Sequence, residues 1–318
     1  MLIRWTKDKF YLLKYELLGG AILICLLALM LVLNLHQTPA PFVWLVMLLP
    51  ILLNPLLGIL AATAGMVFLL TKFYPELFNA YHLFLIPVGI CFGISHVQLV
   101  HAAIHKSYQP RWLNRLIGEI LSVQLFGSFL GFSLIHLQHH RHSDDALRDP
   151  HPNRTGTFWG YVKDLDESIS SHFEEMYFGR WGRSRKTEKI WKAYVAFVPL
   201  RQLLRASVIL MVFGPVGFCF FFMPNLIVNQ FVFAHMNYYT HPKKADGTSE
   251  IVNLDHNWKY KVMNVFLFGA YYHGNHHKAP WLFNPSKYDP QASRQRAVGS
   301  TRKARSSKPP KLSRYKRL

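Results

Sequence analysis

"LLGGAILICLLALMLVLNL", residues 17–35, carries no charge and no polar side chain before Asn34. A helix needs about 20 apolar residues to cross a bilayer core, whereas a helix of a soluble domain must keep a polar face. The blankness extends well beyond this stretch. Between Glu16 and Lys106 only Lys72 and Glu76 are charged, and between Arg205 and Lys243 no residue is. Apolar blocks recur at 42–71, 80–100 and 196–236. The pattern predicts an all-α fold, a polytopic membrane helical bundle of four to six spans.

Within those blocks, Asn54-Pro55 and "GPVG" (214–217) are break points, because proline removes a helix donor. The predicted spans are 17–35, 42–54, 55–71, 80–100, 196–214 and 216–236. Arg4, Lys7 and Lys9 precede the first run, as in a signal peptide. That run is too long for one, and no small-residue cleavage site follows it, so it is expected to be retained. Residues 111–135 are apolar but carry Arg111, Arg115 and Glu119 at one end, which predicts an interfacial helix. Cys25, Cys91 and Cys219 lie in apolar stretches without metal spacing and read as core residues.

The chain holds 36 Lys and Arg against 17 Asp and Glu, a net charge of +19 that lies outside the spans. Basic residues crowd the N-terminus, 141–205 and the tail, so the positive-inside rule places all three, and both termini, in the cytoplasm. That needs an even number of crossings. From Arg294 to Leu318 there are ten Lys or Arg and no acid. With no nucleic-acid fold signature beside it, this tail reads as a disordered polybasic segment drawn to anionic lipid, and no nucleic acid is expected as a partner. The predicted organisation is spans with a first histidine cluster (1–110), an interfacial helix and cytoplasmic region with a second (111–193), late spans (194–242), a cytoplasmic region with a third (243–290) and the basic tail (291–318).

Histidines carry the chemistry. Of 17, most fall in four tight clusters. "HAAIH" offers His101 and His105, "HLQHH" offers His136, His139 and His140, and "NYYTH" offers Asn237 and His241. "HGNHH" offers His273, His276 and His277. Spacings of three and four place the members of each cluster on one helical face. On the topology drawn from charge, all four clusters end on the same side of the membrane. Nine imidazoles exceed one tetrahedral zinc. They suit two ions of higher coordination number, and imidazole suits iron as well as zinc. Asn237 is placed to reach one ion through water. The site is expected to be metal-binding throughout, with no further catalytic residue. His36, His82, His96 and His235 read as span-end or helix residues, and His142, His151 and His172 as loop residues.

His-x-x-x-His followed by two His-x-x-His-His boxes, with Asn-x-x-x-His before the last, resembles the membrane fatty acid desaturases and hydroxylases. The resemblance runs from about residue 80 to 285. It implies a cytoplasmic histidine-box di-iron domain, with O2 as oxidant and hydrogen abstraction from an unactivated C–H bond of a lipid or fatty acyl substrate. It further implies that His101, His105, His136, His139, His140, His241, His273, His276 and His277 are iron ligands, with His256 of "LDHNWKY" at most behind them. "HLQHHRHSDDALRDP" and "YYHGNHHKAPW" resemble the bacterial lipid-desaturase branch. The first box is one residue shorter than in acyl-CoA desaturases. Alkane hydroxylases share the short first box but carry a longer second one.

Hydroxylation of alkyl or lipid chains, and decarboxylation of fatty acids to terminal alkenes, are the alternative outcomes at such boxes. The chain has neither a His-Pro-Gly-Gly haem signature nor a dinucleotide fingerprint. Electrons are therefore expected from a separate ferredoxin, rubredoxin or cytochrome, steered by the basic loops. A divalent-metal transporter is the reading of another class. Transport requires ionisable groups along a path at mid-membrane, but the clusters lie at span ends.

Overall fold

A computed structural model describes residues 2–33, 40–153, 156–244 and 249–291. His36 and nearly all of the basic tail lie outside the described residues. Among the described residues twelve α-helices follow one another: α1 (Leu2–Trp5), α2 (Tyr11–Val32), α3 (Pro41–Val46), α4 (Pro55–Lys72), α5 (Leu85–Ile104), α6 (Trp112–Ser122), α7 (Phe129–His142), α8 (Phe158–Trp181), α9 (Arg185–Gly217), α10 (Met223–Thr240), α11 (Trp258–Phe266) and α12 (His273–Lys278). Among the described residues the only extended pairing is an isolated bridge between Lys243 and Ser249. The protein is an all-α membrane bundle.

Among the described residues four helical stretches are long and apolar enough to cross a membrane: Tyr11–Val32, Pro55–Lys72, Ala80–Ile104 and Arg185–Thr240. Their outer faces suit lipid, since Leu18, Ile22, Ile24 and Val32 of α2 are all exposed. The last stretch has 56 residues and would reach about 84 Å if straight. It does not run straight. Gly214, at φ 67° and ψ 175°, breaks the helical path just before Pro215, as the "GPVG" reading requires. A side chain would strain that left-handed backbone.

Two expectations need correction. Residues 42–54 do not form a span. They fold as α3 and a 3-10 turn, Leu49–Leu52, and the whole apolar piece Pro41–Leu52 is too short to cross. Pro50 and Pro55 cannot donate in a continuous helix. The piece instead tucks Trp44, Leu48 and Ile51 into a core with Ile59 and Met66 of α4 and Leu210 of α9. The single interfacial helix expected over 111–135 is two helices. The break comes at Phe126 (φ 56°), and Ser128 then caps α7 by accepting from the Gly131 N–H. Helix α6 keeps the interfacial character, with Trp112, Leu116 and Ile120 exposed along one stripe.

Close approach of α5 to the π-helical turn Phe218–Phe222 and α10 positions the site. A Cβ on Gly89 would lie 2.3 Å from the Phe221 carbonyl oxygen, and one on Gly93 2.6 Å from that of Asn225. Small residues let membrane helices touch backbone to backbone, and here the contact brings the C-terminal ends of α5 and α10 together. Buried His96 pins the same seam, with Nε2 on the Leu121 carbonyl at 2.8 Å and Nδ1 beside Asn229 at 3.3 Å. Its helix placement is as expected. Gly93→Leu should therefore separate the two helix ends, lowering both the thermal midpoint and bound metal. An unchanged melting curve would show that the contact is dispensable.

Candidate metal centre

Each box is delivered by a different element. Helix α5 ends in His101 and His105, and α7 ends in the second box. His241 caps α10. The third box is α12, a short helix docked on segment 251–254. Gly274 donates to the Val252 carbonyl at 3.3 Å, and Asn275 donates to Asn253 Oδ1 at 3.0 Å. Val252 in turn donates to the Thr240 carbonyl at 3.0 Å, which ties this box to the end of α10. A Cβ on Gly274 would lie 2.9 Å from the Ile251 carbonyl oxygen, so the docking needs glycine.

The nine box histidines converge in two groups. His101, His105, His136, His140 and His276 form the first, and His139, His241, His273 and His277 the second. Within each group the facing nitrogens all lie within 4.8 Å of one another. The groups abut, with His140 stacked on His277 at 4.2 Å between ring centroids. Asn237 is buried one turn before His241, and its amide donates to the Phe233 carbonyl at 2.8 Å. His256 is exposed and lies outside both groups.

The donor set fits two metal ions. In the first group, contacts run through Nε2 atoms from His105 to His136 (2.7 Å), His136 to His140 (3.0 Å), His140 to His276 (2.9 Å) and His276 to His101 (3.1 Å). A neutral imidazole nitrogen carries one proton or one lone pair, so at most alternate contacts in this row can be hydrogen bonds. Around an ion held at about 2.1 Å, adjacent nitrogens fall about 3.0 Å apart and every lone pair is used. In the second group, His139 Nε2 and His241 Nε2 are buried with no hydrogen-bond partner, as ligand atoms would be without the ion.

Burial, reinforced by neighbouring imidazoles, holds His136, His139, His273 and His276 well below the usual imidazole range. The same causes bring His140 down to about 2. These rings are therefore neutral at physiological pH, which is the form that binds metals.

Two carboxylates fix the tautomers of His139 and His241 in the second group. Asp149, fully buried, accepts from His139 Nδ1 at 2.9 Å, from the Asp144 N–H at 2.7 Å and from the His151 N–H at 3.0 Å. Asp144 accepts from His241 Nδ1 at 2.9 Å. A carboxylate can only accept, so each Nδ1 holds the proton and each Nε2 keeps a lone pair facing the group. Reading the sequence for histidine spacing alone missed both acids, although "SDDALRD" (143–149) directly follows the second box. Asp144 sits at φ 63°, a conformation that Asp tolerates better than most residues.

His142 and His172, both on helices, are corrections to the loop reading, whereas His151 does lie in a loop. His172 lies on α8, buried, with its ring nitrogens on the Ser168 and Leu147 carbonyls. His151 is buried against the second group, stacked on His139 at 4.4 Å. His142 ends α7 outside both groups.

The family model for fatty acid desaturases matches residues 77–283, which spans all nine clustered histidines. The chain belongs to the fatty acid desaturase family. Its similarity to the sn-2 palmitoyl-lipid 9-desaturase of Nostoc sp. (strain 36) is 33% identity over 76 residues, 24% of this chain and 25% of that protein. The match thus spans a quarter of that relative's length. No solved structure matches the chain. For a fatty acid desaturase, the features of note are the pairing of the boxes into groups of five and four and the Asp144–Asp149 support behind the smaller group.

Proposed function

We propose that this desaturase-family protein is an O2-dependent di-iron desaturase of lipid acyl chains, with its termini and metal centre on the cytoplasmic side. One observation carries the reading: nine imidazoles gathered into two abutting groups beside an apolar cavity. Two irons held there would supply O2 activation strong enough to remove hydrogen from an unactivated C–H bond. In the overall balance, one O2, two electrons, two protons and two substrate hydrogens give a double bond and two waters. The electrons come from a separate donor of the ferredoxin, rubredoxin or cytochrome type.

The protein's own residues bind and orient. A cavity of about 300 Å³ is lined mainly by apolar groups, Val97, Leu125, Phe132, Ile135, Phe173 and Phe233 among them, with polar side chains such as Arg201 and Asn229 also on its wall. Val97 lies one turn before His101, and the Phe132 ring meets the His136 ring at 6.0 Å. An extended hydrocarbon can reach the first group along these walls while they exclude water.

Lipids from a host expressing the chain, analysed by mass spectrometry, test the reaction. New double bonds are expected, and hydroxylated chains or terminal alkenes instead would overturn the desaturase assignment. Purified protein should carry about two irons per chain, and a preparation with one zinc and no iron would overturn the di-iron reading. Val97→Phe should cut product formation at least tenfold by filling the cavity, with iron content unchanged.

A further inference from the structure

The nine clustered histidines are mostly buried, so ions must reach them by some opening. A second cavity, about 290 Å³, is lined by His151, Tyr161, Asp164, Glu167, Ser168 and Ser171 among others. Its character is opposite to that of the apolar one. Asp164 and Glu167 are exposed on α8, and His151 forms part of the inner wall. The His151 side chain is 1% exposed, and neither ring nitrogen has a hydrogen-bond partner. A buried polar atom left without a partner is costly, so the ring calls for something that the cavity supplies. A third cluster of potential ligand atoms, from His139, Asp149 and His151, falls within the same 4.8 Å limit, and it shares His139 with the second group.

We propose that this acidic cavity is the loading port for divalent iron, with His151, Asp149 and His139 as a transit site that passes the ion to the second group. The inference rests on the di-iron reading. The two acids raise the local cation concentration at the mouth. His151 then replaces part of the hydration shell before the ion reaches His139, which belongs to both clusters. No covalent or redox step is involved. Imidazole and carboxylate donors both accept a divalent cation of this kind.

The test uses the full-length chain in detergent, stripped of metal by chelation and mixed anaerobically with Fe(II) in a stopped-flow experiment. The Asp164→Asn, Glu167→Gln double variant should load about tenfold more slowly and reach the same final two irons per chain. Raising the salt should slow the unaltered chain towards the variant. His151→Phe keeps the stack on His139 but removes both nitrogens, and it should also slow loading without changing the end point. Loading of the double variant at the unaltered rate would overturn the port. A permanent loss of one iron in His151→Phe would overturn the transit role by making His151 a resident ligand. An unaltered chain that takes up no iron would defeat the di-iron reading itself. Because the two acids are exposed, the double variant tests the port even where His151→Phe folds poorly.

Discussion

Replacing His276 by alanine is expected to abolish lipid oxidation and to lower bound iron from about two per chain to about one. His276 Nε2 lies 2.9 Å from His140 Nε2 and 3.1 Å from His101 Nε2, in the middle of the first group. Alanine leaves four imidazoles there with a gap in the coordination sphere. The second group shares no ligand with the first, so its ion should remain. His139→Ala should produce the complementary loss, emptying the second group and also ending activity. His256→Ala, at an exposed ring outside both groups, should change neither quantity. Metal analysis of the three purified variants beside the unaltered chain checks all of this. Two irons retained in His276→Ala would remove the third box from the ligand set.

Asp149→Asn should be nearly as damaging, though it alters no ligand. The carboxylate accepts from the His139 ring and two backbone amides. An asparagine has only one oxygen to accept with and presents an NH2 elsewhere. Where that NH2 faces His139, the ring must move its proton from Nδ1 to Nε2, and the lone pair that points into the second group is lost. Loss of such an outer partner costs about 10–100-fold in metal affinity. Titration of the second iron with a competing chelator measures it. Asp149→Glu keeps the accepting chemistry and should recover part of the affinity. Equal affinity in Asp149→Asn and the unaltered chain would show that the tautomer is set by other contacts.

Much of this was local and so readable along the chain. The membrane class follows from uncharged runs such as 17–35, because transfer of a helix into lipid depends on the composition of that helix alone. The break at Gly214-Pro215 follows from the backbone chemistry of two residues. His136, His139 and His140 share a face because helical periodicity places them there. The partition of the boxes is different. His136 and His140 serve one group while His139, between them in sequence, serves the other. That division depends on the faces α5, α10 and α12 present to α7, set by contacts such as Gly93 on Asn225 and Gly274 on Ile251. The short piece 42–54 has the composition of a span, and only its packing against α4 and α9 makes it part of the core. Asp144, Asp149 and His151 carry no spacing signal, since they leave α7 in an irregular loop whose path folds back beneath the second group. Local chemistry determined which residues can bind metal, and the convergence of distant helices decided which of them bind together and what stands behind them.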